Sequence, residues 1–179
     1  MTLDMITDWL QHRAGAMYGG EAITQLDHAL QCATLAVQEQ ASDELIIAAL
    51  LHDLGHLAEL GHDALKPHAE YAAALLRPLF SAAVTEPIRL HVAAKRYLCT
   101  SDPTYWPALS EMSKRSLEWQ GGPFDQAAAI DFIEQPFAQD AVRLRQWDDS
   151  AKDQAVLALP LSHFLSIMEG VAMARGAVV

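Results

Sequence analysis

A single all-α domain spanning residues 1–179 is what this sequence predicts, on three observations. Apolar residues recur at three- and four-residue spacing, as in Leu26, Leu30, Ala33 and Val37. Capping residues, prolines and glycines punctuate the chain where such runs begin and end. Strands joined by a hairpin dipeptide, internal repeats and low-complexity tracts do not occur in it. The length, 179 residues, suits one compact domain with a substantial core.

Taken in order, residues 3–13 form a short amphipathic helix, followed by a glycine-rich loop over 15–20. A second helix runs over 24–40. Ser42-Asp43 is a good N-cap for a strongly apolar helix that ends near His52-Asp53. After a polar turn over 59–66, Pro67 suits the first position of a helix reaching Leu79. By the same logic Pro87 opens a helix over 88–98. Further helices cover 110–120, stopping at Gly121-Gly122-Pro123, then 125–134, 138–149 and 160–173.

Composition narrows the function classes. Hydrophobic residues make up 51% and charged residues 20%, as in ordinary soluble domains. No apolar run reaches the roughly 18 residues of a membrane span, and residues 1–5 lack the look of a secretory signal, so a cytoplasmic location is expected. The net charge of −11, without a Lys/Arg cluster, argues against nucleic acid as a partner. Two cysteines are too few for a disulfide framework, and Cys32 is expected to be a buried core residue.

The chemistry begins with His52-Asp53, at the end of the apolar run Ala48-Ala49-Leu50-Leu51. Burying an imidazole and a carboxylate there is costly unless a cation compensates them. His28 and His91 lie mid-helix among apolar neighbours. Asp148 falls near the end of its helix, where the dipole disfavours a carboxylate and a cation would remove the conflict.

His28, His52-Asp53 and Asp148 together give the H…HD…D order of the HD-domain superfamily, helical metalloproteins that mostly hydrolyse phosphate esters. His68 and His91 would supply a second metal, with Asp53 bridging. His68 is preferred to His62 because Pro67 puts it on a helical first turn, whereas His62 falls in a polar turn. Imidazole and carboxylate ligands suit iron, manganese or zinc.

Around the metals, His56 follows His52 by four residues and Lys95 follows His91 by four, so each shares a helical face with a ligand. Ser113, Ser116 and Gln120 form one polar stripe. A lysine with hydroxyl and amide donors suits a tetrahedral oxyanion. Tyr18 and Glu21 flank the glycines, where a lid could form.

Four strings sharpen the resemblance. They are Tyr18-Gly19-Gly20-Glu21 running on to His28, Ala48 to His56, His91-Val92-Ala93-Ala94-Lys95-Arg96-Tyr97-Leu98, and Ser116-Leu117-Glu118-Trp119-Gln120-Gly121-Gly122-Pro123. They resemble the PhnZ-type organophosphonate oxygenases, mixed-valent di-iron members of the HD superfamily, in register over residues 18–148. The resemblance implies an HD-domain helical bundle in which His28, His52, Asp53 and Asp148 hold one iron and Asp53, His68 and His91 the other.

The same resemblance assigns His56, Lys95, Ser113, Ser116 and Gln120 to the phosphonate and neighbouring oxygens. Tyr18 and Glu21 become the lid, with Glu21 placed to meet a cationic group on the substrate. It further implies an Fe(II)/Fe(III) pair, O2 as co-substrate, and a small 1-hydroxyalkylphosphonate cleaved at its C–P bond to a carboxylic acid and inorganic phosphate. The candidates are 1-hydroxy-2-aminoethylphosphonate, its trimethylated analogue, or hydroxymethylphosphonate, with a separate hydroxylase as pathway partner. Trp106, Trp119 and Trp147 could offer aromatic faces to a methylated cation, although tryptophan more often packs in cores. The alternative is an HD phosphohydrolase acting on a phosphate ester without O2.

Overall fold

The computed structural model describes residues 1–18, 22–58, 68–153, 155–174 and 176. Ten α-helices organise them: α1 (Leu3–His12), α2 (Gln25–Gln38), α3 (Asp43–Leu51), α4 (His68–Leu76), α5 (Ala82–Ser101), α6 (Tyr105–Ala108), α7 (Glu111–Trp119), α8 (Gln126–Ile133), α9 (Ala138–Ser150) and α10 (Leu161–Ala174). No strand forms among the described residues; one isolated antiparallel bridge joins Met17 to Thr24. The all-α expectation holds.

Local chemistry starts half of these helices. Thr2, Thr24, Ser42, Ser110 and Asp125 each accept a hydrogen bond from a backbone N–H in the first turn they cap. The middle of the molecule is α3, every residue of which from Leu45 to Leu51 is buried. A helix apolar all round must be enclosed on all sides. Accordingly α2, α5, α9 and α10 pack around it, while α4 and α8 pack on α5.

Pro87 does not open its helix. α5 starts five residues earlier, on the N-cap Ser81, and carries Pro87 inside it. Proline there removes one backbone hydrogen bond and crowds the preceding turn, a cost of about 3 kcal/mol or more. Val84, Thr85 and Ile88 are all buried on this stretch, and their packing outweighs the loss. The helix expected to begin at Pro67 begins, among described residues, at His68 and ends at Leu76 rather than Leu79. Pro67, the 59–66 turn and His62 lie outside the described residues. The short α6 carries no apolar periodicity and was not anticipated.

At the end of α7 the chain turns through Gly121 (φ 97°) and Gly122 (φ 69°), a left-handed region that favours glycine. Arg96 on α5 donates to both of their carbonyls, at 3.2 and 2.7 Å. These bonds tie the turn that follows Gln120 to α5.

Candidate metal centre and adjoining pocket

Five elements deliver one cluster. His28 comes from α2, His52 caps α3 with Asp53 next in the chain, His68 opens α4, His91 sits mid-α5 and Asp148 lies near the end of α9. His28, His52, His91 and Asp148 are all at most 2% exposed.

Three imidazoles are oriented by the backbone. The Nδ1–H of His28 donates to the Ala151 carbonyl at 2.7 Å, that of His52 to Ala49 at 2.9 Å, and that of His91 to Ile88 at 2.7 Å. Their Nε2 lone pairs are therefore the ones turned inward. The Nε2 atoms of His28 and His52 lie 3.3 Å apart, and those of His68 and His91 3.1 Å apart.

Asp53 stands between the two pairs. Its Oδ2 lies 3.4 Å from His52 Nε2 and 3.9 Å from His28 Nε2, while its Oδ1 lies 3.4 Å from His68 Nε2 and 3.9 Å from His91 Nε2. Asp148 adds Oδ1 at 3.4 Å from His28 Nε2 and Oδ2 at 3.9 Å from His52 Nε2.

This donor set fits two cations. Lone pairs facing each other at such distances repel unless something positive lies between them. Two nitrogens each about 2.1 Å from one ion, at right angles, are about 3 Å apart, close to both observed spacings. The two pairs differ electrostatically, and the first favours a positive charge, a proton that a bound cation would displace. His52 is pushed up to about 9: burial opposes its proton, but Asp53 and Asp148 outweigh that. Burial pushes His68 down to about 4 and His91 well below the ordinary imidazole range, leaving that pair in its neutral, ligating form.

His56 is closer to the second pair than its surface position implies. Its ring stacks on His68 at 4.3 Å, and its Nε2 is 3.8 Å from Asp53 Oδ1. Cys32, in the core as expected, has its Sγ 3.7 Å from His28 Nε2. Burial and the nearby Asp148 and Asp53 push that thiol up, so it packs as a neutral group.

Gly55 explains how His56 and His68 come together. A Cβ there would meet the His68 carbonyl oxygen at 2.3 Å and its carbonyl carbon at 3.0 Å, both backbone atoms. Gly55→Ala is therefore expected to push His68 out of place. Metal content should drop toward one ion per chain and kcat/KM fall about a hundredfold, with the helical circular-dichroism signal kept. Unchanged metal content would refute this role.

A cavity of about 350 Å³ opens beside the cluster, bordered by Tyr18, His56, Lys95, Ser113, Ser116 and Gln120, among others. The stripe on α7 thus faces the pocket. Lys95 Nζ donates to Ser116 Oγ at 2.7 Å, and Gln120 Oε1 is buried with no partner. The Tyr18 ring stacks on His28 at 3.8 Å, and its hydroxyl donates to Asp148 Oδ1 at 3.4 Å. Glu21 lies outside the described residues. Trp147 is core, Trp119 projects outward at 92% exposure, and Tyr18 brings a phenol ring to the pocket.

Two cations of the pocket escaped the sequence reading. Arg145, buried, sets its Nη1 2.6 Å from Asp148 Oδ2 and pairs through Nη2 and Nε with Asp149. So a guanidinium, not only a metal, answers the carboxylate at the end of α9. Lys152, just past α9, donates to Ser113 Oγ at 3.0 Å. Their spacing from Asp148, three residues before and four after, was the available signal.

A protein-family model for the HD domain matches residues 26–115. The chain is 43% identical over 162 residues to hydroxymethylphosphonate dioxygenase of Gimesia maris, covering 87% of this chain and 81% of the relative. It is 35% identical over 173 residues to [1-hydroxy-2-(trimethylamino)ethyl]phosphonate dioxygenase (glycine-betaine-forming) of Leisingera caerulea, covering 93% and 88%. An uncharacterized protein of Acanthamoeba polyphaga mimivirus is 32% identical over 174 residues, covering 93% and 80%. Fold and site define an HD-domain metalloprotein, and the chain belongs to the PhnZ-type phosphonate oxygenases within that superfamily. It is an oxidoreductase.

Proposed function

We propose that the chain cleaves the C–P bond of a small 1-hydroxyalkylphosphonate with O2, giving a carboxylic acid and inorganic phosphate. One iron would be held by His28, His52, Asp53 and Asp148, the other by Asp53, His68 and His91. The observation that carries the reading is Asp53, whose two oxygens face two separate histidine pairs next to a lysine-lined pocket. A mixed-valent iron pair bound there would supply O2 activation and Lewis-acid polarisation of the substrate oxygens.

The chain's own residues do the rest. Lys95 and Lys152 bring positive charge to the phosphonate. The hydroxyls of Ser113 and Ser116, already bonded to these lysines, would turn to its oxygens. Gln120 offers an amide from the C-cap of the same helix, and His56 also lines the pocket. Such donors also stabilise the phosphorus oxyanion as it leaves. Tyr18, stacked across His28, shields the first histidine pair from water. The reaction balances without an added reductant: hydroxyphosphonate plus O2 equals acid plus phosphate. A C1 hydroxyl must already be present, so a separate hydroxylase has to supply the substrate.

The substituent at C1 separates the two named relatives, so both of their substrates form the test. Iron-loaded, partly reduced protein is given hydroxymethylphosphonate and the trimethylamino compound, and phosphate release is followed with O2 uptake. One O2 consumed per phosphate, and no phosphate without air, is expected on at least one of them. Phosphate release from phosphate esters regardless of air would establish a hydrolase instead.

Lys95 sets a pH limit. Burial, with Arg145 and Lys152 adding to it, pushes its ammonium down to about 8. Above that pH the group loses its proton and its attraction for the phosphonate, so kcat/KM should fall as pH rises through about 8. Lys95→Arg, which stays charged, should move this limb upward. A limb that does not shift would assign the titration elsewhere.

A further inference from the structure

One face of α2 does more than present His28. Its Nδ1–H holds the carbonyl of Ala151 at 2.7 Å. Three residues on, the Gln31 amide donates through Nε2 to the carbonyl of Asp153, also at 2.7 Å, and to that of Val156 at 3.4 Å. Thr34 continues the face, its Oγ1 accepting from Leu159 N–H at 2.9 Å. The two short bonds grip the residues immediately before and after Lys152. That residue lies beyond the last turn of α9, where no helix directs its side chain.

Gln31 is an expensive choice for this place. It is 3% exposed, and its Oε1 is buried without a hydrogen-bond partner. An apolar side chain of like size would avoid leaving that oxygen desolvated. What the amide does make is the grip on the 153 and 156 carbonyls. We infer that Gln31 is a positioning residue: with His28 it clamps the backbone on both sides of Lys152 and so aims that ammonium at the phosphonate. The inference rests on the proposed phosphonate reading. It makes α2 a shared frame, with one side chain for the metal and its neighbour for the anion site.

The test is equilibrium binding of methylphosphonate, which lacks the C1 hydroxyl, to metal-loaded protein. Wild type, Gln31→Met, Lys152→Ala and the double variant are compared, with metal content and unfolding temperature measured on each. Lys152→Ala should weaken binding about tenfold or more, and Gln31→Met roughly three- to tenfold. In the Lys152→Ala background Gln31→Met should add nothing. For a turned-over hydroxyphosphonate, KM should rise with kcat within about twofold.

A merely structural role would instead weaken binding equally in both backgrounds, and that result overturns the inference. So does wild-type binding by Gln31→Met while Lys152→Ala is impaired, which leaves the phosphonate reading intact. Wild-type protein that binds no methylphosphonate and turns over no hydroxyphosphonate overturns both. Should Gln31→Met not fold, Gln31→Asn, with its amide one methylene short, must show the same dependence on Lys152.

Discussion

Replacing Asp53 with asparagine is expected to abolish turnover, lowering kcat/KM at least about a thousandfold, or ~4 kcal/mol of barrier. The carboxylate lies within 4 Å of the Nε2 atoms of both histidine pairs, so a neutral amide removes a charge that both proposed ions share. An asparagine oxygen can still face one side. Metal analysis should therefore find at most one ion per chain, and a mixed-valent electron-paramagnetic signal should be lost. Alanine at His56, by contrast, should leave both ions bound. Two ions retained in Asp53→Asn would contradict the bridging role.

Arg145→Met is expected to act on stability as well as on the site. The guanidinium is 5% exposed at its side chain and serves Asp148, Asp149 and the Tyr105 hydroxyl at once. Removing one member of a buried ion pair strands the others, at a cost of about 3–5 kcal/mol. For a chain of this size that corresponds to an unfolding midpoint lower by roughly 6–20 °C. Because Asp148 would also lose the partner orienting its carboxylate, affinity for the first ion should drop about 10–100-fold. Arg145→Lys keeps the charge but not the planar fork, so it should recover only part of the loss. The thermal midpoint and a competitive metal titration on the three proteins decide the matter. Wild-type values for Arg145→Met would show the network to be dispensable.

Much of the fold was legible because it rests on local rules. Ser42 caps α3 and Asp125 caps α8 through contacts three residues away, and the apolar run before His52 forces α3 inward. Helical spacing likewise put Ser113, Ser116 and Gln120 on one side, and they do share the pocket. Pro87 misled because proline's preference for a first turn is also local, whereas the packing of Val84, Thr85 and Ile88 that extends α5 past it is not.

Residue order thus established the all-α class and placed a histidine–aspartate pair at the end of a buried helix. Motif resemblance then named the further donors, and the folded chain brings them together. The folded arrangement adds that each Asp53 oxygen faces its own histidine pair, that Arg145 turns its guanidinium to Asp148, and that Lys152 enters the pocket between two carbonyls held from α2. The last of these depends on partners more than a hundred residues apart, such as Gln31 and Asp153. A helical period describes which side of one helix a residue takes; it carries no information on which other helix will meet it.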